Sequence, residues 1–138
     1  MSKVAVVYWS MTGNTEAMAK ELASAADTEA IESSEFSADM CDQYDAFAFG
    51  CPAMGAEELE DSVFEPFISE IESGLSGKKV VLFGSYDWGD GEWMRIWQER
   101  MEKAGAVIVT GAGIIANNAP DSDAEASLKA AGAELAKL

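Results

Sequence analysis

The sequence contains no histidine, which removes the commonest general base, the usual hydrolytic triads and most catalytic zinc sites. Serine or cysteine hydrolysis is therefore disfavoured. Cysteine is almost absent as well. Cys41 and Cys51 stand with nine residues between them, no CxxC and no second pair, which excludes zinc ribbons and thioredoxin-type chemistry. An unbridged pair suits a reducing compartment. Basic residues are scarce: 9 Lys and Arg face 25 Asp and Glu, giving a net charge of −16 and a pI near 4.1. Nucleic acid and anionic membrane surfaces would be repelled, and a protein partner with a basic surface becomes the electrostatic complement. A simple solubility coat is an equally compatible reading. No stretch approaches the ~20 apolar residues of a membrane span. The start, MSKVAVVYWS, lacks the long apolar run of a signal peptide, so a cytoplasmic location is expected.

What is present is a globular composition, 49% hydrophobic and 25% charged over 138 residues. Residues 1–138 are expected to form a single domain, large enough to build a core without disulfides or a structural metal. The run at residues 4–8 is β-branched and apolar, as in a strand buried on both faces. From Thr15, the residues Met18, Leu22 and Ala25 recur at helical spacing. Residues 28–33 suit a short second strand and residues 44–50 an apolar third. Phe64, Phe67 or Ile68, Ile71 and Leu75 then mark a helix whose first turn tolerates Pro66. Residues 79–84 read as a fourth strand, and Trp93, Trp97, Met101 and Ala104 as the face of a helix stopped by Gly105. Residues 106–110 suit a fifth strand. After an Asp121 cap, Ala124, Leu128, Ala131 and Leu135 form the last helical stripe. Strands alternating with helices predict an α/β fold, a doubly wound five-stranded parallel sheet with helices on both faces. In such sheets ligands bind beyond the carboxyl ends of the strands, where the strand order reverses.

Three loops at that end carry chemistry. Ser10, Met11, Thr12, Gly13, Asn14 and Thr15 lie between the first strand and first helix. Three hydroxyls and an amide surround Gly13, and the free N–H groups and positive dipole end of the helix point at the same spot. An ordinary N-cap turn uses the same residue types. No Lys or Arg lies in the loop, so a phosphate there is held by neutral donors, which favours a permanent monoester over a phosphate that is transferred. No Gly-Lys-Ser/Thr follows, which excludes a Walker loop. Gly111, Gly113 and Ala116 match G-x-G-x-x-A, but they lead into Asn117, Asn118 and Pro120 rather than directly into a helix. They are read as a strand extension and turn.

The second loop, Pro52, Ala53, Met54, Gly55, Ala56 and Glu57, follows the third strand. The third, Ser85, Tyr86, Asp87, Trp88, Gly89, Asp90 and Gly91, follows the fourth. Met54 and Trp88 are large apolar side chains in turns, and a flat aromatic ligand between them would explain both. Either alone is more often a local packing plug, and Trp9 is a plug or a further wall.

Together these three motifs, at this spacing, resemble the short-chain flavodoxins, and the resemblance runs from residue 3 to the last helix. It implies a flavodoxin-like fold binding FMN noncovalently, with the phosphate in the loop of residues 10–15 and the ring between Met54 and Trp88. It also implies that Glu57 accepts a hydrogen bond from flavin N3–H, that the main chain of residues 53–57 and 85–89 holds the ring edge, and that Asn117 touches the ribityl chain. Gly55 would present its carbonyl to the ring on reduction. Met11, Asp87 and Ala56 depart from the common pattern; in a type II turn Ala56 would need φ > 0 at a cost of about 1 kcal/mol over glycine. The implied function is that of a low-potential one-electron carrier replacing ferredoxin. Its implied partners are reductases, hydrogenases or 2-oxoacid oxidoreductases with basic docking surfaces. Each acid at ~13 Å from the reduced ring would cost about 0.3 kcal/mol in a water-like dielectric. An FMN-dependent NAD(P)H or quinone reductase is the enzyme alternative, although the tight connections argue against a second substrate pocket. A phosphorelay receiver would need acids where Trp9, Ser10, Phe49 and Gly50 stand.

Overall fold

β1 (Val4–Tyr8) is apolar throughout and buried on both faces, as the centre of a parallel sheet requires. The computed structural model describes residues 3–54, 58–87 and 89–137. In chain order β1 is followed by α1 (Asn14–Ala25), β2 (Ala30–Glu32), β3 (Ala46–Gly50), α2 (Phe64–Ile71), β4 (Lys79–Tyr86), α3 (Glu92–Lys103), β5 (Val107–Ile108), β6 (Ile114–Asn117) and α4 (Ser122–Lys137). All pairings between strands are parallel, in the order β2-β1-β3-β4-β5, with β6 also on β4. The order reverses between β1 and β3, which sets the switch point beside the first loop.

The two faces differ in bulk. Val4, Val6, Tyr8, Ala46, Ala48, Val81 and Phe83 face α1 and α4, while Ala5, Val7, Phe47, Phe49, Val80 and Leu82 face α2 and α3. Small residues of β3 on the first face let two helices approach closely. Gly132 of α4 has no room for a side chain, because a Cβ there would overlap the carbonyl oxygen of Leu22. The second face is aromatic, with Phe64 and Trp97 edge to face at 5.5 Å.

Several features depart from the sequence expectation. β2 is shorter, at Ala30–Glu32. The passage from β2 to β3 contains only the 3-10 turns Ser33–Glu35 and Ala38–Gln43, anchored by Phe36 packed at 6.1 Å on Phe67. No apolar stripe of helical period exists there to support an α-helix. α2 ends at Ile71 and continues as the 3-10 turn Glu72–Gly74, so that Leu75, still buried, lies beyond the helix. Finally, the fifth strand is interrupted. Val107 and Ile108 pair with the start of β4, and Ile114 to Asn117 pair with its end. The strand therefore does resume after the glycines, and Gly113 leaves room for the Met94 side chain, which a Cβ would displace. β4 runs two residues past Gly84 because Ser85 and Tyr86 find Ala116 and Asn117 across the ladder.

Candidate functional site

The first loop is shaped by Ser10. Its Oγ accepts hydrogen bonds from the N–H of Gly13 at 3.1 Å and of Glu16 at 3.2 Å. Gly13 sits at φ 97°, ψ −9°, a left-handed conformation natural to glycine. Apart from Gly13 and its two chain neighbours, no atom lies within 4 Å of where a Cβ would stand. The N–H groups of Thr12, Asn14 and Thr15 have no hydrogen-bond partner among the described residues, so they remain available at the positive end of α1. The Thr15 side chain does different work. It is 1% exposed, shares a 2.8 Å hydrogen bond with Ser85 Oγ, and accepts from Ser85 N–H at 3.3 Å. Thr15 thus locks the start of α1 to the end of β4.

Ladder-like bonds continue past the strand ends and hold the loops side by side. Trp9 N–H donates to the Gly50 carbonyl (3.0 Å), Cys51 N–H to Phe83 (3.1 Å) and Ala53 N–H to Ser85 (3.0 Å). Gly84 lets the Cys51 carbonyl approach so closely that a Cβ would collide with it, and that carbonyl also accepts from Trp93 Nε1 at 3.1 Å. Burial pushes the Cys51 thiol up to about 12, which makes it a packing group rather than a nucleophile. Met54 and Glu58 exchange two backbone hydrogen bonds of 2.8 Å. Gly55, Ala56, Glu57 and Trp88 lie outside the described residues.

Between the loops lies a cleft of about 80 Å³, lined by Met11, Thr12 and Asn14, residues 52–54 and 85–87, and Asn118. Met11 is 65% exposed at its rim. Larger hollows of about 560 and 590 Å³ lie on the flanks of α1 and α3. They share no lining residue with the cleft, and no motif points to them. Gly89 takes φ 90°. Asn117 is turned toward the main chain, with its Nδ2 donating to the Tyr86 carbonyl at 3.3 Å. Asn118, at φ 60°, donates its N–H to the same oxygen at 2.7 Å and lines the cleft.

Two residues escaped the sequence reading. Asn118 is one. Its signal was the tolerance of Asn for the left-handed region, indistinguishable from Asn117 before the strand end was known. The other is Glu60, 5% exposed, whose Oε1 accepts from the N–H of Val63 (2.7 Å) and Phe64 (2.8 Å). Its Oε2 accepts from the N–H (2.9 Å) and hydroxyl of Ser62. Burial alone would raise this carboxyl. The hydrogen bonds from the Ser62 hydroxyl and the three amides outweigh it and hold the group below the usual glutamate value.

A parallel sheet with an uncharged anion cradle after β1 and an apolar wall at the switch point defines a flavodoxin-like, nucleotide-binding protein. The donor set and open glycine fit a monoester phosphate, and Met54 beside residues 85–87 fits a ring. The flavodoxin family model matches residues 6–130. Flavodoxin from Megasphaera elsdenii is 50% identical over 127 residues, 88% of this chain and 91% of that one. The Clostridium beijerinckii flavodoxin is 50% identical over 121 residues, 84% and 87% of the two chains. The solution structure of two-electron reduced Megasphaera elsdenii flavodoxin superposes with a TM-score of 0.89 at 46% identity, covering 98% of this chain and 99% of that one. The chain belongs to the flavodoxin family, of the short-chain kind, and is an FMN-binding electron carrier.

Proposed function

We propose that this single-domain protein is a cytoplasmic, monomeric one-electron carrier of low potential. In this reading it shuttles electrons between redox enzymes in place of ferredoxin and catalyses no reaction of its own. The observation that carries the reading is the convergence of the three loops on one cleft beside a phosphate cradle without a cation. The free N–H groups of Thr12, Asn14 and Thr15, with the hydroxyls of Ser10 and Thr12, would bind the phosphate. Met54 and the residues 85–87, completed by residues 55–57, Trp88 and Gly89, would hold the ring, and Asn117 or Asn118 the ribityl chain. FMN supplies the redox chemistry when bound. The chain holds it, shields one side from water and surrounds it with negative charge. Glu58, Asp87, Asp90 and Glu92 are all exposed around these loops, and Asp90 pairs with Arg95 at 3.2 Å. Such a rim favours a basic partner surface of the reductase, hydrogenase or 2-oxoacid oxidoreductase type. No helix among the described residues is long and apolar enough to cross a membrane.

Titrating apoprotein with FMN tests the site. Gly13→Ala places a Cβ at the cradle mouth in a conformation costing about 1 kcal/mol, and its FMN Kd should rise at least about tenfold, by fluorescence. An unchanged Kd would remove the cradle from residues 10–15. The carrier reading requires that pure holoprotein pass electrons from a reductase to an acceptor protein. Rapid oxidation of NAD(P)H by the holoprotein alone would instead favour a reductase.

A further inference from the structure

Of the polar side chains buried among the described residues, Ser33 Oγ has no partner, Glu60 caps the start of α2, and Thr15 and Ser85 are bonded to each other. The last pair joins segments that the sheet keeps apart. Thr15 follows β1, Ser85 lies in β4, and β3 runs between those two strands. Two strand spacings, about 10 Å, therefore separate β1 from β4, and the start of α1 carries Thr15 across.

Each member of the pair also serves a different part of the site. The N–H of Thr15 belongs to the cradle, while its hydroxyl is bonded to Ser85 Oγ at 2.8 Å and accepts from Ser85 N–H at 3.3 Å. Ser85 in turn accepts from Ala53 N–H at 3.0 Å through its carbonyl, and it pairs with Ala116 in the ladder to β6. Ser85, Tyr86 and Asp87 line the cleft with Met54. The bridge thus ties a phosphate donor directly to the wall of the cleft. Thr15 is 1% exposed and Ser85 4%, so no water stands ready to replace either partner, and pulling them apart leaves both unsatisfied.

We propose that the Thr15–Ser85 bridge is the gauge of the FMN site: it fixes the distance between the phosphate seat and the ring wall, and so selects a flavin phosphate with a five-carbon side chain. Thr15 and Ser85 act here as positioning residues, through their hydroxyls. The proposal rests on the phosphate being seated by residues 10–15 and the ring by Met54 and residues 85–87. Without the bridge each subsite keeps its own contacts but loses its register with the other, and a ligand of another length is penalised less.

The test titrates the apoprotein as wild type, Ser85→Ala, Thr15→Val and Thr15→Ser, with Kd read from flavin fluorescence. The probes are FMN and two flavin phosphates with the same ring but side chains of four and six carbons. Riboflavin, which lacks the phosphate, is the control. The preference for FMN over either analogue should fall about threefold to tenfold in Ser85→Ala and Thr15→Val, the factor that one hydrogen bond carries. Thr15→Ser keeps the hydroxyl and should keep the preference. The riboflavin Kd should change less than that of FMN, because riboflavin occupies one subsite only. Should Thr15→Val fail to fold, Ser85→Ala, which leaves the Thr15 hydroxyl the N–H of residue 85, carries the test. Loss of affinity by one common factor for all three phosphates would make the bridge a matter of stability alone and overturn the proposal. An unchanged preference in the two variants, or a Thr15→Ser protein that behaves like Thr15→Val, would do the same. A wild type that binds riboflavin as tightly as FMN would instead overturn the reading of the cradle, and the proposal with it.

Discussion

Thr15 and Ser85 are seventy positions apart, yet their hydroxyls share a buried hydrogen bond. Thr15→Val keeps the shape and leaves Ser85 without that partner. The apoprotein should lose about 1 to 3 kcal/mol in urea denaturation, the range for an orphaned buried polar group. Glu60 makes stability depend on pH. Its folded-state value lies below the ordinary glutamate value, so its contribution is complete above the unfolded value and is lost as pH falls through the folded one. Wild type should therefore exceed Glu60→Gln in urea midpoint at neutral pH, and the gap should close as pH falls through the folded-state value. A constant gap across that range would mean that the carboxylate's charge contributes nothing.

Helices α1 and α4 meet where Gly132 faces Leu22 and Ala25, and the pair is bridged at its surface by Lys129 and Glu21 at 3.2 Å. Propensity alone says that Gly132→Ala should stabilise α4 by about 1 kcal/mol. The overlap of the new Cβ with the Leu22 carbonyl reverses the sign, and the variant should unfold about 1 to 3 kcal/mol more easily. A rise in thermal midpoint would show that the helices can separate at little cost. On the opposite face, Arg100 joins α3 to α2 through Glu65, Glu72 and the Ser69 hydroxyl at 3.1 Å. That junction ties the first turn of α2 and the 3-10 turn that follows it to α3.

Across the molecule, a net charge of −16 opposes any further negative charge taken up at the cleft. Raising ionic strength from about 0.01 M to 0.15 M shortens the Debye length from about 30 Å to about 8 Å. The potential for full reduction should therefore rise with salt, and association with a basic partner should slow over the same range. Potentiometry and stopped-flow measurements at several salt concentrations check both. A flat response in the two would remove the surface acids from the mechanism.

The alternation of apolar runs and helical stripes was enough to specify the parallel α/β architecture, because burial on both faces leaves a strand nearly uninterrupted in hydrophobic residues, as in Val4–Tyr8 and Ala46–Gly50. The cradle was legible for a similar reason, since its donors are consecutive in the chain. Elsewhere the outcome depended on contacts between distant segments. Where β4 ends is decided by β6, through Ser85 on Ala116 and Tyr86 on Asn117. Asn118 rather than Asn117 lines the cleft, because the Tyr86 carbonyl takes up the side chain of Asn117 but only the main-chain N–H of Asn118. In the sequence Glu60 is one acid among several neighbours, and only the fold brings the N–H groups of Ser62, Val63 and Phe64 onto its carboxylate. Local pattern encodes which face of an element is apolar; which polar groups end up away from water is settled only when the elements pack.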